Sequence, residues 1–187
     1  MSNKRASAQP PSLKPPTSLD SALIISEQAS LTGKNLISLG SNTVIHPRCK
    51  LNSLNGSIII GNCCIISERC RIGLQSEPTQ ADAEGVVIEN SVVVEPGAIV
   101  EARRIGEGSV IEVNSKIGKG AILGKHCKVG PSCEVADGEV VPDYTVIFGS
   151  GQRRLDQSGA EAIKLKMLSK QIDVLKKLIP SSLAHFQ

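Results

Sequence analysis

Three histidines, six cysteines and two arginine pairs are the residues of this chain best suited to chemistry. His46, His126 and His185 are the right type for a zinc site with three protein ligands and an open water position. These three lie far apart in sequence, with no His-x-x-x-x-His spacing. His126 follows the Gly124-Lys125 corner, where an imidazole can act as a general base; the plainer reading is a surface histidine. Cys49, Cys64, Cys70, Cys127 and Cys133 share one position of a repeat, and no Cys-x-x-Cys pair exists. Cysteines so placed are small apolar fillers, in keeping with a reducing compartment. Arg103-Arg104 and Arg153-Arg154 could hold anions, but read as solvated corners or partner contacts. With no phosphate-cradling loop and no nucleophile constellation, the residues predict no catalytic group, no metal, no cofactor and no enzyme.

Composition narrows the partners. The net charge of +3, from 21 basic and 18 acidic residues, is too mild to imply nucleic acid or a membrane surface. Aromatics are 2% of the chain, so the platforms on which single strands stack are lacking. Residues 1–20 are polar and proline-rich, unlike a secretory signal, and no apolar run is long enough to span a bilayer. The expected location is cytoplasmic.

The elements that must position any site follow from a period of six. Ile105, Ile111, Ile117, Leu123, Val129, Val135, Val141 and Ile147 recur at that fixed spacing. Glycine often follows the aliphatic, and a small residue stands four positions after it, Glu139 excepted. Neither a helix nor simple alternation has this period. A three-faced prism does: six residues make one face and one corner, and three such units close a coil. Leu39, Ile45 and Leu51, then Ile60, Ile66 and Ile72, then Ile88, Val94 and Val100 give earlier coils, with every irregular spacing at one corner. The fold class is an all-β solenoid, a parallel β-helix of hexapeptide repeats with a C-terminal α-helix.

The expected boundaries are a disordered tail over 1–20, a β-helix over 21–149 with a loop insertion at 74–86, a linker over 150–157, a helix over 158–180 and a tail over 181–187. Ser158 and Glu161 have capping-box spacing, and Pro180 ends the helix. Leu165, Leu168, Ile172, Leu175 and Ile179 form one apolar stripe, which either lies on a flank of the β-helix or receives a partner.

The segment Thr43-Val-Ile-His-Pro47, the acidic insertion after the second triplet, and Pro142-x-x-Thr-Val-Ile-Phe-Gly149 followed by Arg153-Arg154 resemble the dynactin subunit 6 family. That resemblance implies a left-handed β-helix serving as a non-catalytic adaptor in the pointed-end complex of dynactin. Its partners there would be dynactin subunit 5, dynactin subunit 4 and an actin-related protein, on the cytoskeleton and in dynein-driven transport. The competing expectation is a homotrimeric hexapeptide acyltransferase, or a degenerate relative of the γ-type carbonic anhydrases.

Overall fold

The computed structural model describes residues 14–76 and 85–187. The chain winds through stacked coils, each laying one short strand on each of three faces, A, B and C. The first coil is β1 (Thr17–Leu19), β2 (Ile24–Ile25) and β3 (Ser30–Gly33), and the second β4 (Ile37–Leu39), β5 (Val44–Ile45) and β6 (Lys50–Ser53). β7 (Ile58–Ile60), β8 (Ile65–Ile66) and β9 (Arg71–Ile72) make the third. β10 (Val86–Ile88), β11 (Val93–Val94) and β12 (Ile99–Val100) follow, then β13 (Arg104–Ile105), β14 (Val110–Ile111) and β15 (Lys116–Ile117). β16 (Ile122–Leu123), β17 (Lys128–Val129) and β18 (Glu134–Val135) complete the sixth coil, and β19 (Val140–Val141) and β20 (Thr145–Phe148) begin another.

Strands three apart in order pair in parallel, so equivalent residues stack in columns. On face A the inward column is Leu19, Leu39, Ile60, Ile88, Ile105, Leu123 and Val141. Face B stacks Ile25, Ile45, Ile66, Val94, Ile111, Val129 and Ile147 in the same way. One aliphatic per face leaves room only for small residues beside it, which explains five buried free thiols among the corner positions. Burial pushes the Cys64 thiol up to about 12, because a thiolate there would lose its water. In the native protein, half-buried Cys63 is therefore expected to be the thiol that iodoacetamide labels quickly at mildly alkaline pH. The other five should react only on unfolding; mass spectrometry of a labelling time course would refute this if Cys64 reacted as fast as Cys63.

Corners carry the sharp turns. Between faces A and B, Asn42, Cys63, Ser91, Gly108, His126 and Tyr144 form one column, all with positive φ. Left-handed backbone costs an L-residue roughly 1–2 kcal/mol, which the regular ladder on either side offsets. Amides left over at the corners bond side chains of the next coil: Ser41 N–H donates to Asn62 Oδ1 at 2.8 Å, and Asn62 N–H to Asn90 Oδ1 at 2.8 Å. Gly73 has φ +123°, and a Cβ there would lie 2.0 Å from the Asn52 carbonyl oxygen. The irregular lengths all sit at the corner between faces C and A.

Several expected boundaries are corrected. The tail of 1–20 is too long: β1 pairs with β4, and Ile37 N–H bonds the Pro16 carbonyl at 3.0 Å. Leu19, Ile25 and Leu31 keep the six-residue period, so the first coil is regular. Residues 1–13 lie outside the described residues. The insertion is shorter than 74–86, since Leu74 is buried and Val86 opens β10; residues 77–84 lie outside the described residues. The linker of 150–157 contains β21 (Gln152–Leu155), which folds back antiparallel on β20 through Gly149 and Gly151, both with positive φ. That hairpin brings Arg153 against the Glu139 carboxylate, which is how an acid fits a position meant for a small residue.

The helix α1 (Glu161–Leu178) starts at Ala160 without a side-chain cap, so Ser158 and Glu161 form no capping box. Ser158 N–H instead donates to Asp156 Oδ1 at 3.1 Å, and Lys164 Nζ to Asp156 Oδ2 at 2.7 Å. The tail of 181–187 is structured. A 3-10 turn at Leu183–His185 packs Leu183 and Phe186 on the first coil, and Ser182 N–H bonds the Ile25 carbonyl at 2.8 Å. This segment covers the N-terminal end of the prism, where unpaired strand groups would otherwise stay open.

Candidate functional site

What each face presents outward decides where a site can lie. Face C shows Lys50, Arg71, Lys116 and Glu134, with Lys116 and Glu134 paired at 2.7 Å, so it is a solvated face. Face B shows Ile24, Val44, Ile65 and Val93, and α1 lies over them. On face A the outward column is Ser18, Ser38, Ile59, Val87, Arg104, Ile122 and Val140. Nothing in this chain covers it among the described residues: Ile59 is 41% exposed and Val140 66%. Ile59, Val87, Ile122 and Val140 make this column largely apolar, with Arg104 set among them.

A depression of about 310 Å³ opens where face A meets the corner to face B. Ile122 and Val140 form its apolar floor, and Glu89, Arg104, Lys125 and Asp143 its polar rim. The Glu89 carboxylate takes the Arg104 Nε–H at 2.8 Å and the Glu107 N–H at 2.9 Å. Partial burial raises the Glu89 pKa, but Arg104, the Glu107 amide and the Lys125 charge outweigh it and hold the carboxyl below its usual range. Lys125 donates its N–H to Asp143 Oδ1 at 2.8 Å, and its ammonium lies 3.8 Å from Glu107. The rim therefore carries two fixed cations beside ionised carboxylates.

His126 follows Lys125 at the corner between faces A and B. Its ring stacks on Tyr144, with centroids 5.3 Å apart and planes 22° from parallel. On its other side is Gly108, where a Cβ would sit 2.4 Å from His126 Nδ1; only glycine lets the ring lie there. The imidazole is thus held between two coils, partly exposed, at the corner between faces A and B. Chemically, His126 can accept a proton, and Arg104 and Lys125 could meet an anionic group only in exchange for the Glu89 and Glu107 carboxylates they now face.

The histidines do not converge. His46 lies at the corner between faces B and C, beside Ser26 and Ser67 in register, and His185 is in the end cap. Among the described residues, no cluster of three or more metal-ligating side chains exists. The apolar stripe of α1 faces inward: Leu168 and Ile172 are buried on face B, with Leu175 and Ile179 partly buried beside them and Leu165 half-exposed. That side of the helix is occupied by the chain's own sheet. The outward column of face A and the His126–Tyr144 stack were not anticipated. Aliphatic doublets such as Ile59-Ile60 and Val140-Val141 signal the first, and the one-coil spacing of eighteen residues signals the second. No helix among the described residues is long and apolar enough to cross a membrane.

The family described as bacterial transferase hexapeptide (six repeats) matches residues 104–137, the coils that carry Arg104, Lys125 and His126. No curated protein matches the chain by sequence. Among solved structures, it resembles a hexapeptide transferase family protein from Anaplasma phagocytophilum, at 15% identity, over 87% of this chain and 96% of that one, with TM-score 0.72. It is more distantly similar to PerB from Caulobacter crescentus in complex with CoA and GDP-perosamine, at 15% identity, over 76% and 58% of the two chains, with TM-score 0.49. AntD, an N-acyltransferase from Bacillus cereus in complex with dTDP and coenzyme A, matches at 18% identity over 84% and 92%, with TM-score 0.38. The expectation that this chain is no enzyme is corrected: the family model that matches its coils over residues 104–137 is one of transferases. The repeat, the three-faced prism and the hexapeptide family match together establish a left-handed parallel β-helix of hexapeptide repeats, about six coils long, with one C-terminal helix.

Proposed function

We propose that this chain is an acyltransferase, moving an acyl group from a thioester donor to the amine or hydroxyl of a small acceptor. The observation that carries the reading is His126, held between Gly108 and Tyr144 at the corner next to Lys125, a residue of the depression's rim. The hexapeptide transferase family match over the same coils supports it. His126 takes the proton of the acceptor N–H or O–H as its lone pair attacks the thioester carbonyl. The carbon–sulfur bond then breaks, and the thiolate leaves with that proton. Arg104 and Lys125 hold the donor's anionic groups. Face A, apolar and uncovered, is where copies of the chain would meet as a homotrimer, with the depression in the cleft between them.

The test is direct. The purified chain is given acetyl-coenzyme A with a panel of amine and hydroxyl acceptors, and thiol release is followed while its mass is read by sedimentation. Thiol release that requires an acceptor, from a particle of three chains, supports the reading. A monomer that neither binds acetyl-coenzyme A nor releases thiol sinks it.

A second reading is favoured by the same open face: a subunit seated in a larger assembly through face A. By its resemblance that assembly would be the dynactin pointed-end complex on the cytoskeleton, beside dynactin subunit 5, dynactin subunit 4 and an actin-related protein. Recovery from cells in a very large particle containing those proteins would favour it over the homotrimer.

A further inference from the structure

The helix α1 has two apolar sides, and only one is used. Ile163, Met167, Val174 and Leu178 are 64%, 65%, 56% and 69% exposed. At about 100° per residue these four fall within an arc of about 60°, well away from the side that carries Leu168 and Ile172. α1 is therefore clamped to face B by one stripe and holds a second one out to solvent along its whole length.

The charges beside the stripe say what fits it. Lys166, Lys170 and Lys177 line one flank with Asp173 among them, and Lys164 the other. Lys164 is paired with Asp156, whereas Lys166, Lys170 and Lys177 have no carboxylate partner among the described residues. An antiparallel copy of α1 would set this flank, net +2 from three lysines and Asp173, against itself, so self-pairing is opposed by like charge. A bilayer is a poorer fit, since the stripe is narrow and carries no aromatic anchor, and the helix lies fixed on a sheet. We infer that the outer stripe of α1 docks an amphipathic helix of another protein, one that carries acidic residues beside its own apolar stripe. Met167, near the middle, gives the contact an adaptable surface. The inference is independent of the activity proposed for the depression on face A.

The probe is a fluorescein-labelled helical peptide of leucine–glutamate heptads, with its leucine–lysine counterpart as control, each titrated with the full chain. Saturable binding of the glutamate peptide is expected, weakened roughly tenfold at high ionic strength. Met167→Glu with Val174→Glu should abolish it at an unchanged melting temperature, because both side chains point to solvent. Lys166→Glu, Lys170→Glu and Lys177→Glu together should transfer the preference to the lysine peptide. The inference is overturned by equal binding of both peptides or by binding of neither. It is also overturned if the stripe variants abolish self-association of the chain, or its sedimentation with phosphatidylserine vesicles.

Discussion

Ile111→Asp is expected to leave no folded solenoid. Ile111 is fully buried in the inward column of face B, with Val94 in the coil before it and Val129 in the coil after. A carboxylate there meets only aliphatic side chains and has no route to water. An uncompensated buried ion costs several kcal/mol, and about 2 kcal/mol of aliphatic burial is lost with it. A domain's total stability is about 5–15 kcal/mol. Each coil touches only its neighbours, so a break in the fifth separates the coils on either side of it. Val110→Asp is the control, because Val110 is the preceding residue and points outward, past the reach of α1. It should melt within a few degrees of the parent by circular dichroism. If both variants melted alike, the inward and outward assignment of face B would be wrong.

The second large effect concerns His126. If it is the general base, His126→Asn should lower kcat for acyl transfer by about 10²–10⁴-fold. KM for the thioester should change little, because Arg104 and Lys125 remain in place. Asparagine is chosen because residue 126 has φ +53°, which asparagine adopts more readily than most residues. Its melting temperature should therefore stay near the parent's. Turnover equal to the parent's would remove His126 from the mechanism, and the proton would have to go elsewhere on the rim.

The coils from Leu39 to Ile147 were legible because a core one side chain wide forces a single aliphatic at each sixth residue. The first coil was hidden by one slip: Leu19, Ile25 and Leu31 keep the period, but eight residues separate Leu31 from Leu39. β21 was illegible for a different reason. All four of its residues are exposed, so Gln152-Arg-Arg-Leu155 carries no buried pattern to read. The candidate site lies on the outside of the prism, where the period is silent. Its signal was the residue before each inward aliphatic. Face B has doublets such as Val44-Ile45 and Ile65-Ile66, and a helix covers them. Face C has mostly a charged residue there, as in Lys116-Ile117, and faces water. Face A also has doublets, yet remains bare. In α1, a reading that stopped at the stripe of Leu168 and Ile172 passed over the second one opposite.

The segment Ser181–Phe186 leaves the ribosome after every coil it depends on, yet it rests on the coil made first. During synthesis the opening coil therefore waits with its end uncovered while the others stack behind it. Order of manufacture and order of closure run in opposite directions along the chain. That end of the prism stays adhesive in the nascent protein until residues 181–186 emerge.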